Sequence, residues 1–277
     1  MAQQLNDIKK RLKSVQSTEK LTSATGLVAS VKMQKYKGKI TGFSKYVMDI
    51  KKTVTAALKT KDENETNEFL KGNDCNNPLH IIFTTDTGLC GNFNNEMFHF
   101  IEENIPKDEA IFVAGQLGRV WLDKNEYLVA KGFTNCDDTN VTAIDMLIDN
   151  VITLYRMKEI SSVDITYTRY VNTLTHIPET VKVLPYTNDE ESDNKEVLME
   201  PNQNELLNRL IPLFVSAQIY DCMLQNKASE NAAKKNAMDN ANKNADKLVE
   251  ELRLSFNKAR QAAITQEMNE IISASEK

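Results

Sequence analysis

Two glycines, two threonines and a cysteine fall within the ten residues Thr85-Asp86-Thr87-Gly88-Leu89-Cys90-Gly91-Asn92-Phe93-Asn94. The segment follows the apolar run Leu79-His80-Ile81-Ile82-Phe83-Thr84 and precedes a helical pattern, where a phosphate-cradling loop would sit. Such a loop needs glycines that bring backbone N–H groups to the phosphates, and in the triphosphate version a lysine that reaches them. The spacing here is neither GxGxxG nor GxxxxGK[ST], and the segment holds no lysine. The residues therefore favour a structural turn, with nucleotide binding as the rival reading. Cys90 could serve as a nucleophile only with a base beside it, and no histidine stands at a suitable spacing, so a packing thiol is expected. Cys75, Cys90, Cys136 and Cys222 form no CxxC pair, and His80, His99 and His176 form no HExxH. No disulfide, metal or cofactor is expected from them.

Charge is the second chemical signal. The net charge is −5, but residues 1–60 carry 13 Lys/Arg against 3 Asp/Glu, and residues 61–211 carry 12 against 27. Residues 212–277 hold nine of each. A basic arm beside an acidic body suggests an acidic partner for the arm: nucleic acid, a membrane surface or an acidic protein loop. The arm has few aromatic residues for base stacking, and its apolar seam demands a partner helix.

The elements that would carry these residues can be read from periodicity. With 41% hydrophobic and 26% charged residues the chain is not a disordered one. Nine Gly and six Pro in 277 residues point to long helices rather than a many-turned sandwich. No run of 18 apolar residues occurs, so no membrane-spanning helix is expected, and the N-terminus lacks a secretory signal pattern, so an intracellular protein is expected. Leu5, Ile8, Leu12 and Val15, then Leu21, Thr25, Val28 and Val31, then Ile40, Phe43, Val47, Ile50 and Val54 place one seam along a helix over 1–60. Gly38 and Gly42 share a face and suggest a close backbone approach.

A polar stretch over 61–78 marks a boundary. Strands are predicted at 79–84, 110–114, 163–168 and 180–185, with helices at 94–104, 116–124 and 139–159. The alternation predicts an α/β domain over 61–204, Rossmann-like, with a mostly parallel sheet and an acidic loop or edge over 187–204. Leu206, Leu207, Leu210 and Ile211 read as a short helix ended by Pro212, which opens the next. From there to Ser275 neither Gly nor Pro occurs, a helix on the order of 95 Å long. Its seam of Met238, Ala241, Ala245, Leu248, Leu252, Phe256, Ala259 and Ala263 suits antiparallel pairing with the N-terminal helix. The chain thus divides into 1–60, 61–204 and 205–277, the two ends forming a rod against a compact middle.

The polar residues around that last seam carry a resemblance. Asn257-Lys258-Ala259-Arg260-Gln261-Ala262-Ala263-Ile264-Thr265-Gln266-Glu267 resembles the C-terminal signature of F-type ATP synthase gamma subunits. Ala228-Ser229-Glu230-Asn231-Ala232-Ala233, Ala237-Met238-Asp239-Asn240-Ala241, the segment Ser14–Thr22 and the turn Asp86–Gly91 are similar to the family as well, so the likeness spans essentially the whole chain. It implies a central rotor shaft. Ion flow through a membrane ring of c subunits turns it, and its asymmetry drives ATP synthesis or hydrolysis at alpha/beta catalytic sites. It implies a chain without catalytic, cofactor or metal residues, with alpha, beta, epsilon and the c-ring as partners, and with no nucleic acid and no membrane insertion. By the same resemblance Arg260 and Gln261 contact a beta-subunit loop, and Lys9, Arg11 and Lys32 are looser electrostatic rotor–stator contacts. Thr25 stands where the family commonly has methionine, and Gly26 follows it, so a more flexible segment is expected over 23–27. The start of the chain at the first motif suggests a bacterial protein on the cytoplasmic face of the cell membrane, with a mature mitochondrial chain as the other reading. An α/β nucleotide enzyme with helical extensions and a nucleic-acid-binding coiled coil are the competing functions.

Overall fold

The computed structural model describes residues 2–58, 67–134, 136, 141–187 and 203–275. The polar stretch at 61–66 and the acidic run at 188–202 lie outside the described residues. The elements in chain order are α1 (Ala2–Leu58), α2 (Glu68–Lys71), β1 (Leu79–Phe83), α3 (Phe93–Asn104), β2 (Ala110–Ala114), α4 (Gln116–Lys124), β3 (Val129–Phe133), α5 (Val141–Arg156), β4 (Val163–Tyr170), β5 (His176–Leu184) and α6 (Gln203–Ser275). They form two compact units, Met1–Ser30 with Lys234–Lys277, and Val31–Ala233.

In the larger unit the sheet order is β3-β2-β1-β4-β5. β1 runs parallel to β2 and β4, β2 parallel to β3, and only β5 is antiparallel, against β4. Alternation along each strand builds two layers. Leu79, Ile81, Phe83 and Phe112 join one core with Val47, Ile50 and Val54 of α1, Ile144, Leu147 and Val151 of α5, and Ile211, Val215 and Ile219 of α6. Ile82, Ile111 and Val113 point the other way, to Met97 and Ile101 of α3 and Leu122 of α4. There Phe98 stacks on Trp121 at 4.5 Å. β3 has no counterpart among the sequence expectations. Its residues Val-Ala-Lys-Gly-Phe bury only Phe133, because it is an edge strand with one face open, and so it lacks an apolar run.

α6 runs through Pro212 without ending there. Proline removes the N–H that would bond to the carbonyl of Asn208. That carbonyl instead receives Arg156 Nη2 at 3.5 Å, and Ser216 Oγ donates to the Pro212 carbonyl at 2.7 Å. The Arg156 side chain thus covers the gap in the ladder, and the two helices expected on either side of Pro212 are one.

In the smaller unit α1 and α6 pair antiparallel: Gln16 and Glu19 share a groove with Val249 and Arg253, Thr22 Oγ1 donates to Asn242 Oδ1, and Gly26 meets Met238. The α6 seam is as expected, none of Met238, Ala241, Ala245, Leu248, Leu252, Phe256, Ala259 and Ala263 being exposed. The α1 seam differs over its middle. Leu21, Val28 and Val31 face solvent at 68%, 58% and 70% exposure, while Gly26, Ala29, Met33 and Tyr36 are buried. At Gly26 a small residue takes the inner position because α6 lies too close there for leucine. A Cβ on Gly26 would come 3.2 Å from Met238 Cβ, whereas Gly38 and Gly42 have nothing within 4 Å. The close approach is at Gly26, not at Gly38 and Gly42, and residues 23–27 are unbroken helix.

Candidate functional site

The order of the sheet reverses between β1 and β4, and in a doubly wound sheet the crevice beyond the C-terminal ends of two such strands is the ligand site. The Gly88–Gly91 turn lies beside it. Leu89 and Gly91 take φ of 65° and 60°, so the chain turns sharply here. Polar side chains tie the turn to its neighbours. Asp86 Oδ1 accepts from the Gln116 N–H at 3.1 Å, Asn94 Nδ2 donates to Thr85 Oγ1 at 2.9 Å, and the same amide donates to Cys90 Sγ at 3.3 Å. Cys90 is buried against Phe93 and Ala233, which makes it a packing thiol.

The crevice is occupied by the protein itself. Asn226 of α6 donates from Nδ2 to the Thr84 carbonyl at 3.4 Å and accepts at Oδ1 from the Thr168 N–H at 3.2 Å. Ser229 Oγ donates to the Thr168 carbonyl at 3.0 Å. Lys227 pairs with Glu230 at 3.1 Å and approaches Asp86 at 3.8 Å. Asn226 and Ser229 are 1% and 0% exposed, so no phosphate can reach the backbone between them. The glycines just before and within α4 serve packing as well: a Cβ on Gly115 or Gly118 would lie 2.3 Å from Thr84 Oγ1. They admit a threonine side chain where a nucleotide fold would admit a phosphate.

Titratable groups elsewhere in this unit are structural. Burial pushes the Cys222 thiol up, which makes it a poor nucleophile. Burial also raises Asp221, whose carboxylate accepts from Ser44 Oγ at 2.8 Å and Gln225 Nε2 at 2.7 Å. Tyr155 is pushed up to about 12, by burial first and then by Glu68. Among the described residues no three His, Cys, Asp or Glu side chains group as metal ligands would.

The five residues singled out on the resemblance are all exposed. Lys9, Arg11, Arg260 and Gln261 belong to the smaller unit, and Lys32 to the larger. Arg260 and Gln261 are neighbours on α6; Arg260 stands one turn beyond the half-buried Phe256 at the margin of the seam, and Gln261 points away from it. None of the five side chains is engaged with a described residue. Periodicity missed the apolar surface near them: Leu254, Ile264, Met268, Ile271 and Ile272 of α6 are 48–69% exposed, and Leu21, Leu27 and Val28 of α1 are 58–70% exposed. The signal that could have found it is the small residue Gly26 opposite Met238 in an Ala-rich stretch of α6, a close approach that leaves Leu21, Leu27 and Val28 turned outward.

A doubly wound sheet with its ligand crevice plugged by its own C-terminal helix, and terminal helices paired through small residues, defines a scaffold class rather than a nucleotide-binding one. The family model described as ATP synthase matches residues 4–276. The ATP synthase gamma chain of Clostridium beijerinckii is 33% identical over 272 residues, 97% of this chain and 96% of that one. That of Clostridium kluyveri is 32% identical over 275 residues, with the same coverage. Among solved structures, a chain of the Euglena gracilis mitochondrial ATP synthase rotor shares the fold with a TM-score of 0.67 at 15% identity, covering 95% of this chain and 100% of that chain. One from the Tetrahymena thermophila central stalk and c-ring does so with a TM-score of 0.58 at 20% identity, covering 80% and 99%. The chain belongs to the ATP synthase gamma-chain family.

Proposed function

We propose that the chain is the central rotor shaft of an F-type ATP synthase. It breaks no bond itself. It couples ion flow through a membrane ring of c subunits to ATP synthesis or hydrolysis at sites on alpha and beta subunits. The observation that carries this reading is the family match over residues 4–276. The paired helices fit the role physically: their outward faces combine unengaged basic side chains with large apolar ones, the mixture expected of a surface enclosed by other proteins. Each orientation of such a shaft offers a different face to each surrounding subunit and favours a different conformation there. Within this reading Arg260 and Gln261 bear on a beta-subunit loop, and Lys9, Arg11 and Lys32 supply longer-range attraction to acidic stator surface. Residues 1–60 and 205–277 are the coiled-coil segments and 61–204 the domain that meets epsilon and the c-ring. No helix among the described residues is long and apolar enough to cross a membrane. The chain sits on the cytoplasmic face of a bacterial membrane, held there by its partners.

The test is reconstitution. Alpha and beta subunits are mixed with and without this chain, and complex formation and ATP hydrolysis are measured. A stoichiometric complex with raised hydrolysis is expected, and failure to form one overturns the proposal. Calorimetry of the isolated chain with ATP decides against the enzyme alternative: micromolar binding would revive it.

A further inference from the structure

The plug in the crevice does more than exclude ligand. The registered pairing of β1 with β4 ends at Ile82 opposite Thr166. Two residues further on, Thr168 turns its N–H and its carbonyl to the β1 side of β4, past the end of that pairing. Both backbone groups of Thr168 are met from α6, the N–H by Asn226 and the carbonyl by Ser229. The Asn226 amide also takes the Thr84 carbonyl just past β1. It therefore acts as a peptide group set between two strands, with its oxygen turned to one and its nitrogen to the other. Thr84 and Thr168 are 2% and 1% exposed, so no solvent replaces these bonds.

The other hydrogen bonds of α6 in this unit go to α1, to Asn67 and to Arg156 rather than to the strands, and Lys227 reaches Asp86; its hold on the sheet itself is otherwise apolar. Ile211, Val215, Ile219, Met223 and Leu224 are fully buried, and apolar burial is non-directional. It holds a helix onto a surface while leaving rotation and one-turn slippage open to it. Hydrogen bonds are directional. A shift of α6 along or about its axis would orphan three buried backbone groups at once, each a substantial penalty. We propose that Asn226 and Ser229 are positioning residues that fix the angular register of α6 on the sheet, so that twist delivered to the α/β unit passes into the helix instead of being lost as slippage. The inference rests on the rotor reading above and locates its torque-bearing joint.

The experiment uses the assembled synthase in inverted membrane vesicles, with Asn226→Leu, Ser229→Ala and the exposed-site control Asn244→Ala. ATP hydrolysis and ATP-driven ion uptake are measured together while ionophore titration varies the opposing gradient. With the gradient collapsed, both variants are expected to match the control in subunit content, hydrolysis and ion uptake per ATP. Against a full gradient, uptake per ATP falls by about fivefold, the factor that loss of a hydrogen bond of ordinary net strength gives. A role confined to folding lowers assembly and hydrolysis at every load; that pattern in both variants, the milder Ser229→Ala included, overturns the joint. So does full uptake against the gradient. Failure of the unsubstituted chain to support any ATP-driven uptake overturns the rotor reading itself, which separates the two.

Discussion

Gly118→Ala sets helix propensity against packing, with opposite signs. The residue lies inside α4, where alanine should gain about 1 kcal/mol over glycine. Packing demands the reverse. An added Cβ would sit 2.3 Å from Thr84 Oγ1, 2.5 Å from its Cγ2 and 2.8 Å from its Cβ. Thr84 is 2% exposed and hydrogen-bonded to the Ala114 carbonyl at 3.2 Å, so it cannot swing aside. Restoring ordinary contact requires α4 to withdraw by about 1 Å, and overpacking of that kind costs about 1–3 kcal/mol or more in a close-packed interior. The expected net effect is a loss of up to about 2 kcal/mol. Trp121, the only tryptophan in the chain, lies one turn along α4 against Phe98 and reports the event. Urea unfolding followed by its fluorescence should show a lower midpoint at unchanged slope. Thr84→Ala removes two of the three clashing atoms, so the double variant should be at least about 1 kcal/mol more stable than the sum of the single effects. Gly42→Ala in α1, with nothing within 4 Å, supplies the propensity term alone and should stabilise. A Gly118→Ala protein more stable than the parent, or a cycle without coupling, refutes the packing argument.

The exposed Arg260 should be replaceable by Ala within about 0.5 kcal/mol of stability, while ATP-driven pumping by the assembled complex falls; equal loss of the isolated chain's stability would make it structural. Asn67 is buried, accepts from the Phe69 N–H at 3.0 Å and donates to Asn204 and Asn208 at 2.7 and 2.8 Å, so Asn67→Ala should cost about 1–3 kcal/mol in urea unfolding. Asp221 is raised above the ordinary 3.8 by burial, only partly countered by Gln225 and Ser44. The folded state therefore holds its proton more tightly than the unfolded state, and this group's contribution to stability is lost as pH rises through the folded value. Asp221→Asn, with the Gln225 amide free to flip, should gain on the parent in urea midpoint as pH rises from the ordinary carboxylate range to neutrality. A gain that shrinks over that range contradicts the assigned cause.

The strands β1, β2 and β4 and helices α3, α4 and α5 were legible because each is an apolar run or stripe of the right period, bounded by polar residues. Edge strand β3 was not, since a strand open on one face has no such run. The inner face of α1 differs from the periodicity only over its middle, for a related reason. Periodicity finds large apolar residues and assumes that they point inward, but where the two helices approach closely, as at Gly26, a small residue takes the inner position, and Leu21, Val28 and Val31 turn out. The turn at Gly88–Gly91 was rightly weighed as structural, because it lacks a phosphate-binding lysine. What fills the crevice beside it could not be read, because Asn226 lies more than a hundred residues away in sequence and carries no local signal. The exposed positions Arg260 and Gln261 were visible only through family likeness; an exposed polar pair on a helix has no signature of its own.

The plugged crevice also constrains how the polypeptide matures. The principal core draws on residues 36–57 at one end of the chain and 207–228 at the other, with the sheet strands between them. A ribosome that has released only the strands has released a sheet whose inner face is covered by α1 and α5 alone, with the backbone groups of Thr84 and Thr168 unmet. Contacts of such sequence separation are slow to close, and the open intermediate is the aggregation-prone species. Folding of the larger unit is therefore deferred until synthesis has passed Ser229. Nonsense mutations after Ala233 spare this unit and delete only the far portion of the last helix, whereas those before Leu207 leave a complete sheet without the α6 part of its cover.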